Sequence, residues 1–170
     1  MVTRPEAIAA LTAPGQPHEI VEIEAIGRRI RSFKNAPKNL GELYAQARSD
    51  KPFLVYEDER LTFEETWRRA CTLAHALVND YGVKKGDRVA IAMRNYPEWP
   101  VAFWAVQSLG AIVVSLNAWW TGGELEYGLA DSGTTALVVD GERYDRLRGE
   151  VLGRLSIPTV IVARHDGDVD

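Results

Sequence analysis

Cysteine is nearly absent. Cys71 is the only one in 170 residues, so the chain has neither an internal disulfide framework nor a cysteine-built metal centre. It falls on the apolar side of a predicted helix and reads as a small core residue, not a reactive thiol. Long apolar runs are also missing: no stretch approaches the ~18–20 residues of a membrane span. The N-terminus, Met1 to Glu6, lacks the apolar run of a secretory signal, so the expected compartment is the cytoplasm. Positive charge is in deficit, with 20 Lys and Arg against 24 Asp and Glu and a pI near 5.5, which argues against nucleic acid as the main partner. There is no internal repeat and no low-complexity tract.

Reaction machinery is missing too. No Gly-x-Gly-x-x-Gly follows a strand and no Gly-x-x-x-x-Gly-Lys-Ser/Thr occurs. No Gly-x-Ser-x-Gly elbow, no Ser, His and Asp arrangement and no His or Cys cluster is present. His75 lies beside a helical stripe without a second ligand at helical spacing, and His18 and His165 stand alone in loop-like sequence. The glycine pair Gly122-Gly123 either offers N–H groups to an anion at a helix N-terminus or serves only the cap it sits in, and the cap is the simpler reading.

What is present is the patterning of one folded core, with 46% hydrophobic residues. The stretch from Gly86 to Ser132 organises it. Arg88 to Met93 is an apolar run of strand length, Pro97 suits a first helical turn, Gly110 suits a helix stop, and Ala111 to Leu116 is a second buried strand. Strand, helix and strand make a right-handed parallel crossover, whose ligands gather at the carboxyl ends of the strands.

The flanks extend the pattern. Residues 1 to 18, with Pro5, Pro14, Gly15 and Pro17, read as a loosely held arm. If the chain reverses at Ile26-Gly27, Glu24 faces Arg29, Ile23 faces Ile30 and Glu22 faces Arg31, which predicts a hairpin. A helix is the alternative, since Ile23, Ile26, Ile30 and Phe33 also fit its period. Capping boxes at Asn39, Thr62 and Thr121 predict helices to about Arg48, Gly82 and Ala130. The second carries an apolar stripe of Phe63, Trp67, Ala70, Cys71, Ala74, Leu77 and Val78. Phe53 to Tyr56 is a strand, Glu57 to Arg60 a charged turn, and Leu61-Thr62 the return. Ala136 to Val139 and Thr159 to Ala163 are further strands around one helix from Glu142 to Leu155. The expected fold is therefore α/β, a parallel sheet with helices on both faces. Residues 1–38 form the arm and hairpin, and residues 39–170 an incomplete α/β domain.

Several segments, in order, resemble the opening region of the adenylate-forming acyl-CoA synthetase superfamily. They are Arg60-Leu-Thr-Phe-Glu-Glu, Lys85-Gly-Asp-Arg-Val-Ala-Ile, Arg94-Asn-Tyr-Pro-Glu-Trp, Leu109-Gly-Ala-Ile-Val-Val, Leu116-Asn, Glu124-Leu-Glu-Tyr and Asp131-Ser-Gly. The resemblance covers roughly residues 39 to 155, and Asn117-Ala-Trp-Trp-Thr is most similar to the fatty-acid CoA ligases. It implies a two-step reaction using ATP, Mg2+ and coenzyme A, in which a fatty acid or related carboxylate becomes an acyl-adenylate and then a thioester. The family's phosphate loop, its Thr-Glu magnesium motif, its ribose-binding Asp and its adenylation Lys have no counterpart in these residues. No catalytic, cofactor-binding or metal-ligating residue is therefore assigned, and the chain alone is expected to be inactive. It is expected to be a piece of such an enzyme, completed by the remainder of its own chain, or a shortened protein that has lost the chemistry.

Asn117, Trp119 and Trp120 follow a strand at its carboxyl end and are the candidate substrate-binding residues. The two indoles either line an acyl pocket, cover an unfinished part of the sheet, or contact a second subunit in a homodimer. Trp99 and Trp104 read as core. Arg28, Arg29, Arg31, Lys34 and Lys38 form either a solvated hairpin face or a peripheral contact with anionic lipid. A self-contained ligand-binding or dimerising α/β module remains the alternative to the ligase.

Overall fold

The computed structural model describes residues 2–169. The chain divides into two compact units, one ending at Lys38 and one beginning at Asn39. Among the described residues no helix is long and apolar enough to cross a membrane.

The first unit begins with α1 (Arg4–Leu11), where the sequence suggested a loose arm. Pro5 sits in the first turn, where no N–H is needed. The backbone N–H and hydroxyl of Thr3 both donate to the Glu6 carboxylate at 2.8 Å. That Thr-x-x-Glu cap is the signal that outweighs the prolines. β1 (Ile20–Ala25) and β2 (Arg28–Phe33) pair antiparallel, with Glu22 opposite Arg31, Ile23 opposite Ile30 and Glu24 opposite Arg29. Ile26 and Gly27 make the turn at positive φ, 53° and 67°, as two-residue hairpins require. A helix through the same residues would carry Gly27 in its interior at a cost of ~1 kcal/mol.

In the second unit α2 (Leu40–Gln46) starts at Asn39, whose side chain accepts from the Glu42 N–H. β3 (Pro52–Tyr56) and β4 (Glu59–Thr62) form a hairpin that is tighter than expected, because Glu57 at φ 46° lets the chain reverse within two residues. Thr62 caps α3 (Phe63–Asn79) through a reciprocal box with Glu65. Most of the expected stripe faces inward: Ala70 and Leu77 are buried and Phe63, Trp67 and Ala74 pack against the core, joined by Thr66 and Leu73. Cys71 and Val78 are exposed. Cys71 is thus not a core residue: it lies ~100° round the helix from Ala70, outside the buried face.

Four parallel strands follow, β5 (Arg88–Ala92), β6 (Ile112–Ser115), β7 (Ala136–Asp140) and β8 (Thr159–Ala163), in the spatial order β6-β5-β7-β8. Alternation along each strand builds two cores. Val89, Ile91, Val113, Val138 and Ile161 face one side with α3 and α4 (Glu98–Ser108). Ala90, Ala92, Val114, Leu137 and Val139 face the other with α5 (Gly122–Ser132), α6 (Gly141–Leu147) and α7 (Glu150–Leu155). Both faces of the sheet are covered by helices, the layering of buried parallel strands.

β6 is an edge strand rather than a fully buried one, with Ile112 half exposed, because the chain crosses from β6 to the far side of β5 before forming β7. The single helix expected from Glu142 to Leu155 is two, since Gly149 at φ 78°, ψ −123° takes a conformation essentially closed to other residues and breaks the ladder.

Glu64, at the start of α3, accepts from Arg48 Nε at 2.7 Å and Arg68 Nε at 2.9 Å. The Arg48 hydrogen bond, with Arg68 adding to it, holds this carboxyl down at about 2 from its usual 4.5. A depressed folded-state pKa gives stability that is complete above the unfolded value and is lost as pH falls from 4.5 toward 2. In Glu64→Gln the acid limb of the stability curve is therefore expected to be shallower than in the parent across that window, as read by urea unfolding at stepped pH. Parallel curves would contradict the assignment.

Candidate functional site

The strand order places a topological switch at β5 and β7: the chain leaves β5 toward β6 on one side and returns to β7 on the other. Ligands of open α/β sheets gather at the carboxyl ends of the strands. The loops after β5 and β6, together with the β3–β4 hairpin, line a cavity of about 370 Å³ through Tyr56, Arg94, Asn95, Tyr96, Ala118 and Trp119. Beside it a more apolar hollow of about 250 Å³ is lined by Leu54, Pro97, Trp99 and Pro100 with the same two tyrosines.

The three candidate residues have different surroundings. Asn117 turns the chain after β6, its Oδ1 accepting from the Trp119 N–H at 2.9 Å. Trp119 is 70% exposed, and the Arg94 guanidinium lies over its ring at 4.8 Å, within cation–π range. Trp120 turns inward and packs against the Leu125 and Leu129 core, while its carbonyl accepts from Arg146 Nη1 at 2.8 Å. Its ring explains a glycine inside a helix: a Cβ at Gly128 would lie 2.9 Å from Trp120 Cζ3 and 3.1 Å from Leu116 Cδ2. Trp119→Ala is therefore expected to change unfolding stability by no more than ~0.5–1 kcal/mol, the value of an exposed cation–π contact. Trp120→Ala is expected to cost about 3 kcal/mol, the low end for truncating a core tryptophan. Equal losses in urea titrations would contradict this division.

Charged groups fix the rim. Arg164, just after β8, lies 5.2 Å from the Tyr56 ring centre and 4.9 Å from that of Tyr96. It pairs with Glu59 at 2.6 Å and Glu98 at 2.9 Å, hydrogen bonds that push its pKa up. Burial, with Glu57 nearby, pushes the Tyr56 phenol up as well. Beneath the crevice, Asp140 at the end of β7 and Arg143 on α6 are 2% and 0% exposed and pair at 3.0 Å. None of Tyr56, Arg94, Tyr96, Asp140, Arg143 or Arg164 is a candidate on sequence grounds. The available signals were Arg94-Asn-Tyr at a strand end and an Asp directly after an apolar strand with Arg three residues on.

The described residues do not fit a triphosphate or a magnesium ion. At the N-terminus of α5, Thr121 accepts from the Glu124 N–H while the Glu124 carboxylate accepts from Thr121, so the cap is closed by the protein itself. Packing favours glycine at 122, since a Cβ there would lie 3.0 Å from the Arg146 carbonyl oxygen. Among the described residues no three His, Cys, Asp or Glu side chains gather as a metal site. What the crevice offers is aromatic surface, a guanidinium and an amide, suited to an apolar ligand with a polar end.

The model of the family described as AMP-binding enzyme matches residues 42–169. The chain belongs to that family. Long-chain-fatty-acid–CoA ligase from Salmonella typhimurium is 35% identical over 130 residues, 75% of this chain and 23% of the relative. A medium/long-chain-fatty-acid–CoA/3-oxocholest-4-en-26-oate–CoA ligase from Mycobacterium marinum is 33% identical over 132 residues, 78% of this chain and 24% of the relative. Among solved structures, a Mycobacterium tuberculosis fatty acyl CoA synthetase superposes with a TM-score of 0.67 at 27% identity, over 74% of this chain and 26% of that one. An anthranilate CoA ligase in complex with anthranoyl-AMP superposes with a TM-score of 0.68 at 27% identity, over 74% and 25%. This AMP-binding family chain thus spans about a quarter of the length of those relatives, and the family match over residues 42–169 includes every residue lining the cavity.

Proposed function

We propose that the chain is the N-terminal portion of an ATP-dependent acid–thiol ligase that joins a fatty acid or related carboxylate to coenzyme A through an acyl-adenylate, releasing AMP and pyrophosphate. The observation that carries this reading is the coincidence of the family match with an aromatic-lined cavity at the carboxyl ends of β5 and β6. In this reading Trp119 meets the apolar part of the acid, Asn117 holds the turn that presents it, and Trp120 anchors that turn in the core. ATP, Mg2+ and coenzyme A belong to the remainder of the enzyme, because the residues of this segment do not fit the phosphates or the ion. The 170-residue chain incubated with ATP, Mg2+, fatty acid and coenzyme A is expected to yield neither AMP nor acyl-CoA. Stoichiometric turnover by the chain alone would overturn that division of labour.

The exposed edge of β6 favours a second reading, a non-catalytic module that dimerises or binds a ligand through its unfinished sheet. Self-association in sedimentation velocity, or saturable AMP binding by the isolated chain, would support it; a concentration-independent monomer without AMP binding would remove it. Arg28, Arg29 and Arg31 of the hairpin form either a solvated face or a peripheral contact for anionic lipid, whereas Lys34 is already paired with Glu19 at 3.0 Å. Salt-sensitive co-sedimentation with phosphatidylserine vesicles tests this, and no binding at low salt would exclude it.

A further inference from the structure

Three loops at the crevice are tied together by one buried pair. The Asp140 carboxylate accepts from the Arg94 N–H at 2.9 Å, from the Arg143 N–H at 2.9 Å and from Arg143 Nη1 at 3.0 and 3.1 Å. Arg143 Nε donates to the Ala118 carbonyl at 2.7 Å, and Nη1 also reaches Glu142 at 2.9 Å. Arg94 follows β5, Ala118 follows β6 and Asp140 ends β7, so a single salt bridge sets the spacing of the loops after three adjacent strands. Two of the tied residues, Arg94 and Ala118, line the cavity, and Trp119, whose ring lies under the Arg94 guanidinium, follows Ala118 directly.

Stability alone is a poor reason for this arrangement. Taking a guanidinium and a carboxylate out of water costs several kcal/mol per ion, and an apolar pair of similar volume is often as stable. Moreover, Arg143 Nη2 is buried without a hydrogen-bond partner among the described residues, so the guanidinium is not optimally satisfied as a core element. What an apolar pair lacks is direction: it holds neither the Arg94 amide nor the Ala118 carbonyl at a fixed place.

We propose that Asp140 and Arg143 are positioning residues that hold Arg94 and Trp119 in register across the cavity mouth, and so fix the shape of the acid-binding crevice. The second clause rests on the ligase reading; the first does not. The test uses the 170-residue chain and the variant Asp140→Asn/Arg143→Met, which removes both buried charges together. Two signals are followed by NMR, the exchange rate of the Arg94 amide and the indole N–H resonance of Trp119, assigned through Trp119→Phe. The Arg94 amide is expected to exchange at least about tenfold faster than in the parent while β5 amides keep their protection. The Trp119 resonance is expected to move toward its position in Arg94→Ala. A folded variant in which both signals stay at parental values overturns the proposal and leaves the pair a structural element. Should the double variant not fold, Arg143→Lys decides by the same signals, because one ammonium cannot hold Asp140 and Ala118 in the geometry of a guanidinium fork. Changed NMR signals in the chain, with unchanged chain-length preference in the longer enzyme carrying the same substitutions, would refute the second clause while retaining the first.

Discussion

Replacing Asp140 by alanine is expected to destabilise the second unit by about 3–5 kcal/mol, the cost of stranding one partner of a buried ion pair. Asp140→Ala removes the N-cap of α6 and the acceptor of the Arg94 N–H, and leaves Arg143, fully buried, facing Ala118 and Glu142 alone. Asp140→Asn/Arg143→Met removes both charges and is expected to stay within about 1–2 kcal/mol of the parent, because the desolvation cost disappears with the attraction. Urea unfolding followed by far-UV circular dichroism measures both. A single-variant loss below ~1 kcal/mol would mean that water reaches the guanidinium and that the pair is not the tie described.

Trp104→Ala is the second large effect, with an expected loss of about 3–5 kcal/mol. Trp104 is 7% exposed and stacks on Tyr44 at 4.5 Å with ring planes 5° apart, and on Phe53 at 5.0 Å. It therefore joins α4 to α2 and to the β3–β4 hairpin, and Tyr44 is itself held by a 2.5 Å hydrogen bond to Gln107 on α4. Aromatic pairs of this kind contribute about 0.5–1.5 kcal/mol beyond burial, so Trp104→Phe is expected to recover roughly half of the loss. Near-UV circular dichroism of Trp104→Ala is expected to lose most of its fine structure from this stack. Parental stability in Trp104→Ala would place the packing centre elsewhere.

Local rules carried much of the fold from sequence. The Glu22–Arg31, Ile23–Ile30 and Glu24–Arg29 register followed from pairing across Ile26-Gly27, and the boxes at Thr62 and Thr121 set the starts of α3 and α5, because these are interactions between residues a few positions apart. The strand assignments and the two-faced sheet followed from continuous apolar runs. The pattern and the fold part where two local signals compete. The Thr3-x-x-Glu6 cap outweighs the prolines that suggest a loose arm, Gly149 adopts a conformation that breaks the helical pattern around it, and Cys71 lies ~100° round α3 from Ala70, outside the buried face.

The site was less legible for a different reason. Asn117 and the tryptophans could be named because they follow a strand, but the separation of Trp119 from Trp120 depends on Gly128 across the fold. The Asp140–Arg143 tie depends on a backbone carbonyl 25 residues from Arg143 and a backbone N–H 46 residues from Asp140. Main-chain partners leave no residue-type signature, so no motif announces them. Arg164 illustrates the same limit: its tyrosines and glutamates come from the β3–β4 hairpin, the β5–α4 loop and the start of α4, and only folding brings them to one cation.

The proposed ligase reading gives these residues the acid-binding side and leaves the nucleotide chemistry to the remainder of the enzyme. The most direct measurement is pyrophosphate release from ATP by the product of the complete reading frame that contains this sequence, with and without fatty acid. Release that requires the acid is expected, with acyl-CoA appearing when coenzyme A is added. A reading frame that stops at Asp170, or a longer product whose pyrophosphate release is indifferent to every carboxylic acid supplied, would contradict it.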